Sequence, residues 1–360
     1  MLVTPRDSVP YQELLYRDVE AAGVRVRYAE GPTPSQTLNI VLAPALLLWW
    51  RMRGYRILHI HWVFQFSLPW ARRAQWARQL MEWWFAVYLR MAQFAGFEII
   101  WTAHDLLPHE QVFANDVRAR DMLLSKAKIV IALSEATAKE LRELGARHVT
   151  MIPHGPFASP YPVTLTTEEA RASFGFGVND VVVTLMGRIE AYKGADLLLL
   201  AAAKLPTSSK IKILLAGSCS DATYRNELHR LAKEAGARVI SVLEWVPEED
   251  VARYLQATDI AAFPFREITN SGSVMLAQSF GLPVVITNLP SLSDIPIDAA
   301  IRFEPGVEPL VTALLQAEGL SERQYREMGD AGLAWSMRSD WSEIALATVE
   351  TYRAACLRDR

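Results

Sequence analysis

The sequence predicts an α/β fold with two doubly wound domains, each built on a parallel sheet. Short apolar runs alternate with longer segments of helical periodicity along the chain, and this alternation is typical of parallel strands with right-handed helical crossovers. At 360 residues the chain is longer than one core usually supports, so two domains are expected. Hydrophobic residues make up 51% and charged residues 21%, which favours a globular protein with a sizeable core.

The first half supplies one set of alternating elements. Helical periodicity predicts helices at 11–22, 71–94 and, behind the N-cap Ser134, 135–144. Apolar runs predict strands at 23–28, 57–62, 98–102, 129–133 and 149–152. The segment 153–167 contains four prolines and no periodicity, and we predict that it links the two domains.

The second half repeats the alternation. Strands are predicted at 181–186, 260–265 and 284–286, and helices at 195–203 and 274–280. Gly281 and Pro283 are typical of the residues that end a helix. We therefore expect domains at 1–155 and 156–334, followed by a helical segment at 335–360.

Two cations lie in the loop that follows the strand at 181–186. Arg188 and Lys193 follow Gly187 in the segment Gly-Arg-Ile-Glu-Ala-Tyr-Lys-Gly. Ligands bind at the carboxyl ends of the strands in open α/β sheets, and a guanidinium fork beside an ammonium suits a diphosphate. The alternative interpretation is a surface loop with two solvated cations.

A second anion-friendly loop follows the strand at 260–265. Asn270, Ser271, Gly272 and Ser273 precede the predicted helix, so that free backbone N–H groups and the helix dipole favour an anion there. Ordinary helix capping by Ser or Asn is the alternative. Two such loops in successive β/α units favour one phosphorylated ligand.

The order of these motifs resembles the C-terminal half of GT-B glycosyltransferases, of the type grouped in glycosyltransferase family 4 and its relatives. The resemblance covers about residues 180 to 290 and includes Leu-Leu-Ala-Gly at 214–217, Glu-Trp-Val-Pro-Glu-Glu-Asp at 244–250 and Gly-Leu-Pro-Val-Val at 281–285. More weakly, the segments 9–16 and 101–110 resemble bacterial polysaccharide-assembly members of the same group.

The resemblance implies a GT-B fold, in which two Rossmann-like domains face a central cleft and the last helix packs back on the first domain. It also implies a hexosyltransferase that uses a UDP- or GDP-linked sugar, and a glycan or polyprenyl-linked saccharide acceptor in exopolysaccharide or cell-surface glycan assembly. No cofactor or metal is expected, because cationic side chains can stabilise the leaving diphosphate. The implied donor-binding residues are Gly187, Arg188, Lys193, Gly217, Val246, Asn270, Ser271, Gly272 and Ser273.

A histidine and an aspartate follow the strand at 98–102. His104 and Asp105 are candidates for acid, base or sugar-hydroxyl ligand, and in the family a histidine in this loop contacts the donor sugar. Capping of a helix end is the alternative for His104, and His109 and Glu110 are weaker candidates. His59 and His61 alternate on one strand, which favours a core role. His154 lies at the predicted hinge, where it either touches the donor or belongs only to the linker.

One part of the family pattern is missing. Many members carry two glutamates eight positions apart before the Gly-x-Pro-Val motif, and counting back from Gly281 places them at Ile268 and Leu276. A leucine cannot hydrogen-bond a ribose. Glu267 is one position away, and we assign it a sugar-binding or catalytic role by resemblance. The loss leaves the stereochemistry of transfer open.

Several features bear on location and partners. The longest apolar stretch, 38–50, is interrupted by polar and proline residues and is too short to span a bilayer. No signal peptide is expected, and two distant cysteines favour a reducing cytoplasm. The net charge of −3 does not favour nucleic-acid binding. Tryptophans and arginines at 46–56 and 72–90 favour peripheral contact with an anionic membrane, at the inner face of the cell membrane, although a packed helix with a wet arginine face is the alternative.

Two other functions remain open at this level. The chain could be a GT-B phosphorylase or epimerase, although no lysine stands out as the anchor of a pyridoxal phosphate. It could also be a non-catalytic nucleotide- or glycan-binding partner in an assembly complex. The missing glutamate is consistent with this alternative. Release of the sugar from its nucleotide by the purified protein would distinguish an enzyme from such a partner.

Overall fold

The computed structural model describes residues 1–4, 10–63, 74–108, 111–157 and 161–357. The chain divides into two compact units, one formed by Met1–His154 with Ser339–Arg360 and the other by Gly155–Arg338. Each unit contains a six-stranded sheet in which all pairs are parallel. The predicted α/β class with two doubly wound sheets is therefore confirmed.

The sheet of the first unit has the strand order β2-β1-β3-β4-β5-β6. Its strands are β1 (Leu2–Val3), β2 (Arg27–Tyr28), β3 (Ile57–Ile60), β4 (Glu98–Ala103), β5 (Ile129–Ala132) and β6 (Val149–Met151). Its helices are α1 (Tyr11–Ala21), α2 (Gln36–Met52), α3 (Gln75–Phe94), α4 (Asp116–Lys126), α5 (Glu135–Glu143) and α13 (Trp341–Leu357). The order reverses between β1 and β3, and in doubly wound sheets ligands bind beyond the carboxyl ends of the strands at such a point.

Local chemistry explains where several of these elements begin and end. All four residues of β3 are buried, as expected for a strand covered on both faces. The Ser134 side chain accepts a hydrogen bond from the backbone N–H of Thr137 and caps α5, as predicted. The strand predicted at 23–28 is reduced to Arg27–Tyr28. Helix α2 was not predicted because Pro44 lies inside it and proline usually ends a helix.

The sheet of the second unit has the order β12-β11-β10-β7-β8-β9. Its strands are β7 (Val181–Met186), β8 (Ile211–Ala216), β9 (Val239–Val242), β10 (Ile260–Phe263), β11 (Val284–Thr287) and β12 (Ala300–Phe303). Its helices are α6 (Thr167–Phe174), α7 (Ala195–Lys204), α8 (Ala222–Ala235), α9 (Glu248–Gln256), α10 (Gly272–Ser279), α11 (Val307–Glu318) and α12 (Glu322–Ser336). The order reverses between β7 and β10, so the two predicted anion-binding loops leave adjacent strands at the topological switch point. The prediction that the loops belong to successive β/α units is wrong, because β8 and β9 lie between them in the chain.

Each unit has its own hydrophobic core, made from sheet residues and from the helices that cover them. In the first unit α2 packs on α3, and α1 packs on α13. Over the ranges that the structure describes, no helix combines the length and the apolar character needed to cross a bilayer.

Candidate functional site

In the second unit, the loops after β7 and β10 meet at Gly187. This residue has a φ of 126°, a value that side chains rarely adopt. A Cβ atom placed there would lie 2.7 Å from Ser273 Oγ and 3.7 Å from Lys193 Nζ. Gly187 therefore forms the floor of a small cradle whose walls are an ammonium and a hydroxyl.

Gly217 supports this floor from the neighbouring strand. It follows β8, has a φ of 139°, and packs so closely on the backbone carbonyl of Gly187 that no side chain would fit between them. The backbone N–H of Gly187 in turn donates to Ala216 O at 3.0 Å. Any Cβ at position 217 would push the floor of the cradle out of place.

The N-terminus of α10 forms another part of the site. The Ser271 side chain accepts a hydrogen bond from the backbone N–H of Val274 at 3.2 Å, so Ser271 is the N-cap as the alternative interpretation proposed. Asn270, Ser271 and Ser273 are half-buried, and Gly272 is exposed. The capping uses one backbone N–H of the first turn, and the hydroxyl of Ser273 points to the Gly187 cradle.

Arg188 lies further out than Lys193. Its side chain is 63% exposed and lies 3.7 Å from a carboxylate oxygen of Glu190, a pairing that stabilises little in water. Lys193 ends a short helical turn, and Gly194 follows it with a φ of 71° and packs against the carbonyl of Pro264. The structure therefore assigns Lys193 to the cradle and leaves Arg188 at the rim.

An ion pair that the sequence did not reveal ties the two loops together. The Arg266 guanidinium donates to Asp196 at 2.9 Å and to the carbonyl of Ala191 at 2.6 Å, and its backbone N–H donates to the carbonyl of Tyr192 at 2.8 Å. The Tyr224 hydroxyl also donates to Asp196, at 2.7 Å. Burial alone would raise the pKa of Asp196, but the hydrogen bonds from Arg266 and Tyr224 outweigh it and lower this pKa.

The remaining predicted residues of the second unit occupy less central positions. Glu267 is exposed in the bend after Arg266, and Leu276 is half-buried in α10. Val246 is buried in the segment before α9. Among the side chains that the structure describes, no group of three or more histidines, cysteines or carboxylates is arranged to hold a metal ion.

In the first unit, the His104 ring is held on three sides at the carboxyl end of β4. It stacks on Trp62 with ring centroids 4.3 Å apart and an interplanar angle of 13°. The edge of Tyr11 contacts it at a centroid distance of 4.8 Å, and its Nε2 lies 3.0 Å from Nδ1 of His61. The ring of His104 is therefore fixed in orientation.

The surroundings of His104 keep its imidazole neutral. Burial lowers its pKa well below the usual 6.5, and nearby His154 and His59 act in the same direction. An imidazole whose conjugate acid is this strong is a weak base and takes up a proton poorly near neutral pH. Asp105 follows directly and is half-exposed.

The other histidines of the sequence analysis are also located. His59 and His61 are buried, as predicted for core positions, with relative exposures of 0% and 1%. The His154 ring packs on Tyr11 at a centroid distance of 4.9 Å. His109, Glu110, Val9 and the arginines Arg72 and Arg73 lie outside the described residues.

Comparison with sequence families gives an independent view of the second unit. The family described as Glycosyl transferases group 1 matches residues 166–332. A D-inositol 3-phosphate glycosyltransferase of Xylanimonas cellulosilytica is 27% identical over 253 residues, which is 67% of this chain and 60% of that protein. D-inositol 3-phosphate glycosyltransferase 2 of Catenulispora acidiphila is 30% identical over 194 residues, 51% of this chain and 45% of that protein. The chain thus spans about half to three fifths of the length of these relatives.

Solved structures share the fold of the whole chain. Sucrose-phosphate synthase of Thermosynechococcus elongatus superimposes with a TM-score of 0.77 and 18% identity, over 99% of each chain. Anabaena HepE in complex with UDP-glucose superimposes with a TM-score of 0.74 and 18% identity, over 98% of this chain and 99% of that one. Together with the family match, these similarities confirm the resemblance to GT-B glycosyltransferases and the GT-B fold.

Proposed function

We propose that this chain, which carries a glycosyl transferases group 1 domain at residues 166–332 within a GT-B fold, transfers a hexose from a UDP-linked sugar to an acceptor hydroxyl. The observation that carries the proposal is the cradle at Gly187, where an ammonium and a hydroxyl meet at the topological switch point of a doubly wound sheet. A diphosphate is the ligand chemistry that this arrangement suits best.

The chemistry follows from the charges of the cradle. As the bond between the anomeric carbon and the diphosphate oxygen breaks, negative charge builds up on the leaving group. Lys193 stabilises that charge directly. The α10 N-terminus and the Ser273 hydroxyl add the positive ends of their dipoles. Arg188, at the rim, adds a second cation. These groups supply the stabilisation without requiring a metal ion.

The nucleotide assignment is supported by similarity. The solved structures of Anabaena HepE contain UDP and, in another complex, UDP-glucose, so we propose UDP rather than GDP. Val246 and its neighbours would line the base pocket, as the resemblance implies, and Glu267 is the remaining acidic candidate for contact with the sugar or ribose.

In the first unit, we propose that His104 binds a hydroxyl of the donor sugar. Its lowered pKa disfavours a role as general base, whereas a fixed, neutral imidazole is suited to a directional hydrogen bond. Asp105 is then the candidate for the base of an inverting transfer.

The acceptor is proposed from two sources. The sequence resemblance favours a glycan or polyprenyl-linked saccharide in cell-surface glycan assembly, while the relatives named above act, by their names, on D-inositol 3-phosphate. We propose a phosphorylated or lipid-linked acceptor, and both kinds belong in the panel that tests it.

The exposed surface of α2 and α3 supports membrane contact. On α2 the exposed side chains include Val41, Leu48, Trp49 and Met52, and on α3 they include Trp76, Leu80 and Trp83. The α3 positions are four and three residues apart, and Val41, Leu48 and Met52 of α2 are seven and four residues apart, so each set forms one stripe along its helix. The one acidic residue in the two helices, Glu82, is buried and paired with Arg118. An apolar, tryptophan-rich surface with arginines and no exposed acid fits the interface of an anionic bilayer.

Calorimetric titration with UDP-glucose, GDP-glucose and ADP-glucose tests the donor assignment. We expect UDP-glucose to bind most tightly, and Lys193→Ala to weaken that binding at least tenfold because the diphosphate loses its cation. Lys233→Ala, at an exposed position on α8, is the matched control and should bind as the wild type does. Equal binding by the two variants would remove the cradle from the proposal.

A further inference from the structure

A series of buried, hydrogen-bonded side chains lies behind His104. His61 Nδ1 contacts His104 Nε2, and His61 Nε2 contacts the Tyr16 hydroxyl. That hydroxyl lies 2.9 Å from His59 Nδ1. The series therefore runs from the loop after β4, through β3 and α1, and back to β3.

The series ends at two further hydroxyls. The Tyr352 hydroxyl on α13 lies 2.8 Å from His59 Nδ1, and the Thr102 hydroxyl lies 2.8 Å from His59 Nε2. His104 is half-buried and the other members are almost fully buried: Tyr16 and Tyr352 are 2% and 3% exposed, and Thr102 is 1% exposed. No part of the proposed transfer uses these groups, although burying so many polar side chains is costly unless they bond one another well.

The number of protons in the series is fixed by the neutrality of its histidines. Burial lowers the pKa of His59 to about 3 and that of His61 well below its usual value, so each imidazole carries one N–H and one lone pair. At the contact between His61 and His104, one nitrogen donates and the other accepts. The tautomer of His61 therefore determines the tautomer of His104.

The Tyr16 hydroxyl decides the tautomer of His61. If it donates to His61 Nε2, then His61 carries its hydrogen on Nδ1 and donates to His104. The Tyr352 hydroxyl favours this direction, because it competes with Tyr16 for the single lone pair at His59 Nδ1. If His59 instead carries its hydrogen on Nδ1, that nitrogen accepts nothing. Tyr16 and Tyr352 also hydrogen-bond each other, and with Tyr352 as the donor in that contact the Tyr16 hydrogen is left for His61.

We propose that Tyr16 and His61 are positioning residues that hold His104 as the tautomer with its hydrogen on Nδ1, so that the ring is a hydrogen-bond donor to a hydroxyl oxygen of the donor sugar. The role toward the sugar rests on the proposed function. The tautomer itself does not, because it follows from hydrogen bonds within the first unit alone.

NMR of the full-length protein with ¹⁵N-labelled histidine tests the tautomer without any substrate. His104→Gln identifies the signals of His104 by their loss. We expect Nδ1 of His104 to give the signal of a protonated nitrogen and Nε2 that of a lone-pair nitrogen. The opposite assignment in the wild type overturns the proposal.

Removing single hydroxyls tests the control by Tyr16. Tyr16→Phe should release His61 and shift His104 toward a mixture of tautomers, and Tyr352→Phe should do so in part, by freeing His59 Nδ1 for Tyr16. Tyr55→Phe is the control, since Tyr55 is a buried tyrosine of the same unit outside the series. Unchanged His104 signals in both Tyr16→Phe and Tyr352→Phe overturn the proposal.

Kinetics separate this inference from the proposed function. We expect Tyr16→Phe to lower kcat for sugar transfer by roughly 10- to 100-fold, by analogy with the loss of the outer partner of a metal-ligating histidine, with UDP affinity unchanged. Unchanged kcat contradicts the positioning role. Absence of transfer by the wild type, with the NMR result as expected, refutes the proposed function and leaves the tautomer control standing.

Discussion

Acidification should weaken the fold through the buried histidines of the first unit. His59 has its pKa lowered to about 3 by burial, and the pKa of His61 is lowered well below normal for the same reason. In the unfolded chain both titrate near 6.5. Between about pH 6.5 and the lowered values, the unfolded state therefore binds more protons than the folded state, and the free energy of unfolding falls as the pH falls.

The magnitude follows from this difference in proton binding. Within the window each such histidine contributes about 1.4 kcal/mol per pH unit, so the two together contribute roughly 3 kcal/mol per pH unit. A typical domain has a stability of about 5–15 kcal/mol, so lowering the pH from 6.5 to 5 removes a large share of it. The hydroxyl partners Tyr16, Tyr352 and Thr102 do not titrate in this range, because burial raises the pKa of both tyrosines and a threonine hydroxyl stays neutral.

Urea unfolding at pH 7.5, 6.5, 5.5 and 5.0 measures the effect. His59→Gln should reduce the pH dependence of the free energy of unfolding by about 1.4 kcal/mol per pH unit relative to the wild type. His148→Gln changes an exposed histidine of the same unit and should leave the slope as it is. The reasoning is refuted if the wild type and His59→Gln have parallel pH profiles, because His59 would then bind protons equally in both states.

Three further predictions concern other parts of the molecule. Arg266→Ala should lower affinity for UDP-glucose by calorimetry, because the loop of Lys193 loses its tie to Asp196; unchanged affinity would show that the tie is dispensable. Gln278→Met should raise the free energy of unfolding by about 1 kcal/mol, since both amide atoms of buried Gln278 lack a partner among the described residues; a loss of stability in urea would contradict this. Trp76→Ser with Trp83→Ser should abolish flotation with phosphatidylglycerol vesicles at low salt, and Trp245→Ser, equally exposed at 64%, should not; flotation that survives in the double variant would exclude these helices.

Much of the fold followed from local patterns in the sequence. The buried runs at 181–186 and 260–263 became parallel strands, because a sheet covered on both faces buries such short continuous apolar segments. Where a local signal was misleading, the prediction failed. Helix α2 was missed because Pro44 lies inside it and proline usually ends a helix. The packing of α2 within the first unit compensates for the hydrogen bond that Pro44 cannot donate.

The site was less predictable, because its contacts join residues that are far apart in the chain. Gly187 and Lys193 were selected from one loop, but the meeting of that loop with Ser273 depends on how β7 and β10 pair. The ion pair between Arg266 and Asp196 spans 70 residues. His59 was predicted as a core residue, whereas its bond to Tyr352, 293 residues away, leaves no trace in the local pattern.

The most direct test of the central claim is the turnover of UDP-[¹⁴C]glucose by the purified protein, with inositol phosphate and lipid-linked saccharide acceptors and with EDTA present. We expect labelled glycoside and free UDP to form despite the chelator, and Lys193→Ala to lower kcat by about 100-fold or more, because the leaving diphosphate loses its cation. Lys233→Ala should match the wild type. The account is contradicted if Lys193→Ala turns over at the wild-type rate, or if EDTA abolishes activity and Mg²⁺ restores it.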